Sequence, residues 1–422
     1  LSAGKDNEYF SDGLTDEITA DLSSINSLAV VSRLSARGYK ATAKDIRTIA
    51  AELSVVYVLE GTVRKAGDAL RITAQLIDAA NDTSLWVGKY KGTIQDVFEI
   101  QEEVARQIVE ALRVKLTPAE KVTLGKRSTL DAAAFDLYLR GRHLLGAGTK
   151  KDLLEALSLF DGALARDARY AAAYAGAAEA SAAYYEYYDR NEKWLDRAIE
   201  SALKALAYDA SLPEAHAALG LAYFNQGLLD ESLAACRRAI ELNPHNYVGY
   251  WILGRIDYVT GQTEEAIALL KKVVELNPDL YPAYFTLRMV CQSVGREEIY
   301  RPYVMRLVDD IFPRYLAKNP DDARARHSYG FELAEAGRYE QGLREVERAL
   351  SESGDDPLIL YASACYFARF GDSTQAVGLL RQAIAAGFTN YAYLEQDPDL
   401  RPLHTNPAYQ ELLKNGRRAA GE

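Results

Sequence analysis

The feature that most constrains this 422-residue chain is a spacing. The segment PEAHAALGLAYFNQGLLDESLAACRRAIELNP begins at Pro213, and YVGYWILGRIDYVTGQTEEAIALLKKVVELNP begins 34 residues later, at Tyr247. Leu219 and Gly220 recur at that interval as Leu253 and Gly254, Gly227 as Gly261 and Gly295, and Pro244 as Pro278; further on, Gly337 recurs as Gly371. A unit of this size cannot bury its own apolar face, so it must stack on copies of itself. Each landmark then has a mechanical reading. The small residue at Gly220 or Gly254 lets two helices of one unit approach closely, where a larger side chain would overpack. Gly227, Gly261 and Gly295 stand where a first helix ends and the turn calls for positive φ. Pro244 and Pro278 stop the second helix.

These landmarks resemble the tetratricopeptide repeat, a helix-turn-helix unit. Further units fall near residues 134–168, with Gly141, Ala156, Phe160 and Ala163 at packing positions, and near 171–210, with Tyr174, Ala198, Ala202 and Ala205. The latter contains an insertion around Tyr184–Asn191, read as a loop or a lengthened helix. Units starting at Tyr281, Ala323 and Pro357 complete a count of seven. The interval from Gly295 to Gly337 is 42, which predicts an extended second helix through Tyr300–Lys318. The tail DPDLRPLHTNPAYQELL, residues 397–413, breaks the period and reads as a capping helix for the open end.

Before residue 117 the period changes. SDGLTDEITADLSSI and AKDIRTIAAEL read as helices and SLAVVSR as an apolar run. VVYVLEGTVRKAG, DALRITAQLIDAA and DTSLWVGKYKG alternate in polarity and are separated by turn residues at Ala66-Gly67-Asp68 and Asn81-Asp82, which predicts an antiparallel meander with Leu70, Ile72, Ala74 and Leu76 on one face. Ile94–Leu116 reads as a long helix leaving the sheet. The words NEYFSDGLTDEI, YVLEGTVRKAG, LRITAQLIDA and VFEIQEEVARQIV resemble a bacterial module related to the amino-terminal domain of the TolB translocation protein. That resemblance implies an α/β domain at 1–117 ahead of a tetratricopeptide superhelix at 128–416, and a place downstream of a class III adenylate or guanylate cyclase, a winged-helix domain or a kinase. Members of the family have a strand resembling IAVLPF just before the position of Leu1. Its absence here implies an open sheet edge, left by trimming or completed by a neighbouring chain. The fold expected is therefore mainly α, a repeat superhelix behind a small α/β domain.

Composition bounds the function. The net charge is −11, and residues 1–117 carry 14 Lys/Arg against 17 Asp/Glu, or −3, which leaves −8 for the remainder. Non-specific nucleic-acid binding needs clustered cations that displace counterions from phosphates, so this balance argues against DNA, RNA or an anionic membrane surface as partner. No apolar run approaches the roughly 18 residues that a membrane span requires. Cys236, Cys291 and Cys365 are far apart and odd in number, and read as buried thiols, pointing to the cytoplasm; a membrane helix upstream would instead place the chain in the periplasm. The chain opens on Leu1, and the expectation is a piece of a longer product.

No catalytic constellation is legible. His143, His216, His245, His327 and His404 never stand at metal-ligand spacing, and no G-x-S-x-G elbow or phosphate loop occurs. Asp12, Asp16 and Glu17 are read as carboxylates at the start of a helix, favoured there by its dipole rather than holding a cation. Arg64 and Lys65 beside Gly67 could meet a phosphate but read as a solvated hairpin tip. No cofactor or metal is expected. In the repeat family, positions two, five, nine and twelve of each unit line the concave face; carried onto this chain they give Phe224, Trp251, Arg255, Tyr258, Phe285, Met289, His327, Phe331 and Tyr361. The Lys and Asn that clamp a carboxyl-terminal carboxylate in some relatives are not at the matching places. The resemblance thus implies a non-catalytic region that binds a protein or peptide partner through an aromatic groove. Alternatively the groove is filled by the chain itself, through the helix Tyr300–Lys318 or the amino-terminal domain, or by a second copy. An enzyme or small-ligand sensor in the α/β domain is the competing reading.

Overall fold

The computed structural model describes residues 8–23, 25, 27–31, 36, 39, 42, 44–118, 120, 129–388, 394–395 and 397–420. The chain divides into two compact units, residues 1–256 and 257–422.

In the first unit, α1 (Glu8–Ser23) and α2 (Ile46–Leu53) precede the strands β1 (Tyr57–Ala66), β2 (Ala69–Asp78) and β3 (Thr83–Thr93). Leu28–Val31 carry no strand, and Ser32 and Arg33 of the apolar run lie outside the described residues. The three strands form the expected meander in the order β1-β2-β3. Gly67 takes φ +59 in the first hairpin, and Leu70, Ile72, Ala74 and Leu76 are buried on one face. The helix expected over Ile94–Leu116 is shorter. A 3-10 turn (Ile94–Asp96) leads into α3 (Val97–Ala111), with Thr93 and Asp96 closing a capping box at the start and Arg113 in the left-handed region (φ 54) beyond the end. Two other readings also change. Because α1 begins at Glu8, Asp12, Asp16 and Glu17 lie inside the helix rather than at its positive end. The pleat separates Arg64 from Lys65: Lys65 turns inward, where its Nζ donates to Asp136 Oδ1 (2.6 Å) and to Tyr9 Oη (2.9 Å), while Arg64 faces out.

The repeats follow as α4 (Ala132–Ala147) and α5 (Lys150–Arg166), α6 (Ala171–Tyr187) and α7 (Lys193–Tyr208), then α8 (Pro213–Asn225) and α9 (Leu229–Leu242). The insertion near Tyr184 lengthens α6 to 17 residues against 13 for α8. One continuous core joins the sheet to the first helix pairs, running from Phe10, Leu14 and Ile72 through Phe98 and Phe135 to Phe160 and Tyr170.

α10 (Tyr247–Val259) and α11 (Thr263–Leu276) follow, with the division between the units falling inside α10. The second unit continues with α12 (Tyr281–Ser293) and a long second helix built from α13 (Glu297–Arg306), a π turn (Leu307–Ile311) and α14 (Phe312–Lys318), as the 42-residue interval predicts. Then come α15 (Ala323–Glu335) with α16 (Tyr339–Ser353), and α17 (Pro357–Phe370) with α18 (Ser373–Ala385), completing seven successive pairs among the described residues. A 3-10 turn (Pro398–Leu403) and α19 (Pro407–Ala420) close the chain.

Gly227, Gly261, Gly295 and Gly337 all take positive φ, between +69 and +84, at the first-helix ends. Gly371 departs from them with φ −143, because α18 starts directly on the Asp372 cap. A Cβ built at Gly220 would collide with Cys236 Sγ. We therefore predict that Gly220→Leu destabilises the fold by about 1–3 kcal/mol, measured by denaturant unfolding; an unchanged midpoint would show that the helices of this pair do not meet there.

Candidate peptide-binding faces

In the first unit, α8 and α10 place three of the expected residues together. Trp251 and Arg255 stand one turn apart on α10, and Phe224 is in the last turn of α8. The Arg255 guanidinium lies 4.3 Å from the Phe224 ring centroid and 5.0 Å from that of Trp251, within cation–π range. Glu186, supplied by the lengthened end of α6, brings Oε1 to 3.1 Å from Arg255 Nη1, and it also accepts from Asn225 Nδ2 (2.9 Å). Burial pushes the Glu186 carboxyl up, but Arg255, Arg190 and Asn225 outweigh it and hold it below its ordinary value. Tyr187 stacks on Trp251 with planes 13° apart. Arg255 keeps 19% of its side chain exposed, so the sandwich has an open rim. Tyr258, half-buried further along the same helix, falls past Ile256 in the second unit.

The second unit repeats the device with different residues. Arg288 on α12 lies 4.1 Å from the Phe331 ring centroid and 5.2 Å from that of Phe285. Arg288 is buried and Phe285 is 48% exposed, with Met289 half-buried beside them. The charge compensation comes from the carboxyl end of the chain. Asp399, on the 3-10 turn Pro398–Leu403, lies 3.3 Å from Arg288 Nη1 and 3.1 Å from Arg369 Nη1; Arg369 also pairs with Glu335 at 2.7 Å. The Tyr361 hydroxyl donates to Asp397, and the Tyr361 ring stacks on Phe388 at 4.6 Å. Leu400 and Leu403 of the turn are fully buried. The tail expected to act as a cap thus packs against this face, where Tyr300 of the extended helix also meets Glu332. The tail folds onto α12 and α17 because its carboxylates find two arginines there and its leucines complete the core of the last repeat.

Burial sets the titration of this face. Glu332 is pushed up to about 7 by desolvation, against the attraction of Arg288 at 3.7 Å, and Asp397 is pushed up to about 6 by desolvation and by Asp399. His327 is buried, and desolvation lowers it to about 4. Beside the turn, Arg288, Tyr300, Arg301, Glu335 and Arg369 border a cleft of ≈ 270 Å³. The three cysteines are buried and free, and burial raises the Cys236 and Cys291 thiols to about 12 and 11. In the first unit Glu17 is pushed up to about 8 by desolvation, Asp21 and Asp16.

Pattern reading missed Glu186, Tyr187, Arg288, Arg369 and Asp399. Arg288 is 33 positions after Arg255, close enough to the period to have been found. Nothing in the sequence connects Asp399 to Arg288, 111 residues away.

Residues 213–246 and 249–280 each match a model described as tetratricopeptide repeat. The chain carries tetratricopeptide repeats. Over 239 residues it is 37% identical to a Rhizobium meliloti (strain 1021) protein named "Putative adenylate cyclase 3"; the match takes in 55% of this chain and spans 40% of that protein's length. Among solved structures, TTC0263 of Thermus thermophilus, titled a thermophilic TPR protein, is similar over 48% of this chain and 100% of its own, with 20% identity and a TM-score of 0.36. A human IFIT1 dimer with m7Gppp-AAAA is similar over 77% of this chain and 70% of its own, with 15% identity and a TM-score of 0.46.

Two of the shifted groups of the second unit, Glu332 and His327, predict opposite pH slopes. The folded Glu332 carboxyl holds its proton more tightly than the unfolded one, so its contribution to stability is complete below pH 4.5 and is lost as pH rises towards 7. The folded His327 holds its proton less tightly, so its contribution is complete above pH 6.5 and is lost as pH falls towards 4. Denaturant unfolding across this range should show Glu332→Gln reducing the first slope, to which Asp397 also contributes, and His327→Gln removing the second; parallel curves for variant and parent would contradict the assignment.

Proposed function

We propose that this chain is a non-catalytic interaction and regulatory region of a bacterial signalling protein, taking a partner polypeptide on the first-helix face of its repeats. The observation that carries the reading is the turn Pro398–Leu403. Its Asp399 sits between Arg288 and Arg369, which stand among the aromatic residues of α12, α15 and α17. A face of this composition therefore takes polypeptide, and the first unit gathers the same composition at Phe224, Trp251 and Arg255, of which Trp251 is itself buried. Aromatic and arginine side chains dominate interface energetics, which suits them as anchors. In this reading Phe224, Trp251, Arg255, Tyr258, Phe285 and Met289 receive the partner, while His327, Phe331 and Tyr361 serve the self-filled part.

The effector of the whole protein, an adenylate cyclase domain or another signalling domain, lies outside these residues. The identity with the rhizobial relative supports that arrangement, and the strands β1–β3 with α1–α3 form the TolB-like module between effector and repeats. The site is cytoplasmic in this reading.

Peptides selected for binding to the full chain provide the test. Phe224→Ala combined with Trp251→Ala, the second also costing core packing because Trp251 is buried, should weaken the selected peptides by about 2 kcal/mol or more, read by calorimetry at a temperature where the helical circular dichroism matches the parent. Equal affinity in the double variant would remove the first-unit face from the proposal.

A further inference from the structure

The outer face of the sheet carries a feature that the repeat face does not explain. Arg64 on β1, Arg71 on β2 and Lys91 on β3 are partners in register, so three cations stand directly opposite one another across the sheet. The next row holds Thr62, Thr73 and Lys89, and the one after it Glu60, Gln75 and Val87. All four cations are exposed, and none of them forms an ion pair among the described residues. Like charges directly opposite in a sheet are destabilising. Neighbouring strands are about 4.8 Å apart, so the row compresses three positive charges into roughly 10 Å. The arrangement runs against the composition, since the chain carries −11 and its amino-terminal 117 residues −3. It is invisible in the sequence because the four residues come from three strands and are brought together only by register.

We propose that this sheet face is a docking surface for an acidic polypeptide segment. Carboxylates of the segment would lie along Arg64, Arg71, Lys91 and Lys89, and an apolar residue further along would meet Val87 and Leu85, which are 48% and 44% exposed. Rows on one face of a strand are about 6.7 Å apart, so acids and apolar residue are separated by a few extended residues. Charge decides the partner class. A long polyanion such as a nucleic acid, or an anionic membrane, extends beyond the ~8–10 Å over which the row acts and meets the net negative charge of the chain. A short acidic segment confined to the row does not. The cations keep their mutual repulsion in the free protein and lose it when a carboxylate settles between them.

The test uses the full chain and a fluorescein-labelled hexaglutamate peptide ending in leucine and valine, followed by fluorescence anisotropy at low salt, with short duplex DNA and phosphatidylserine vesicles in parallel. Arg71→Thr should weaken the peptide about tenfold and at the same time raise the melting temperature, because it removes the middle charge of the row. Lys271→Thr, on α11, should change neither. A gain in stability together with lost binding separates this outcome from misfolding. The proposal is overturned if Arg71→Thr binds the peptide as the parent does, or if DNA or vesicles bind through these residues and the peptide does not.

Discussion

Everything else in the molecule depends on helices approaching at positions where there is no room for a side chain. At Gly220 an added methyl would strike Cys236 Sγ, and Ser232 Oγ donates to the Gly220 carbonyl at 2.7 Å across the same contact. At Gly330 an added Cβ would lie 2.7 Å from the Gly342 carbonyl, and at Gly141 and Gly176 it would meet the Phe160 ring. Such contacts fix the pairing of successive helices without using their larger side chains. The aromatic residues and arginines of the first helices are thereby left to pack with one another, as Arg255 does with Phe224 and Trp251 and Arg288 with Phe331.

The electrostatics of the two faces follow from how deeply each arginine is buried. Arg288 has only 3% of its side chain exposed, and a guanidinium so far from water must be compensated; Asp399, Glu332 and the Phe331 ring do this together. Asp399 is nine-tenths buried in turn, which ties the tail to the repeats. Arg255, with 19% exposed, needs less, and Glu186 with the two flanking rings suffices. The same side-chain chemistry thus gives a closed face in the second unit and one with an open rim in the first. The surrounding carboxyls of the second unit, Glu332 and Asp397, are held near neutrality because burial outweighs the attraction of the arginines.

The periodic part of this fold was legible because its constraints are local and recur. Gly227, Gly261 and Gly295 mark turns that need positive φ, Pro244 and Pro278 mark helix ends, and alternation in DALRITAQLIDAA marks the buried face of β2. The seventh helix pair and the extended helix before Lys318 followed from counting. What counting could not supply was any contact between segments out of step with the period. Glu186 lies in an insertion, Asp399 lies beyond the last repeat, and the row Arg64, Arg71 and Lys91 exists only after three strands are set in register. The helix start was placed too late, at Ser11, although Asp6 and Asn7 ahead of Glu8 are residue types favoured at helix starts, and Arg64 was grouped with Lys65 although adjacency in a strand means opposite faces.

The central claim is that arginines set among aromatic rings on the repeats hold polypeptide, with the turn Pro398–Leu403 as the instance inside the chain. Hydrogen exchange of the full chain measures this directly. The account predicts that amides of the turn exchange as slowly as those of α17 in the parent protein, and that Arg288→Ala releases the turn while α17 stays protected. A turn that exchanges at the rate of unstructured chain in the parent, or that keeps its protection without Arg288, would contradict it.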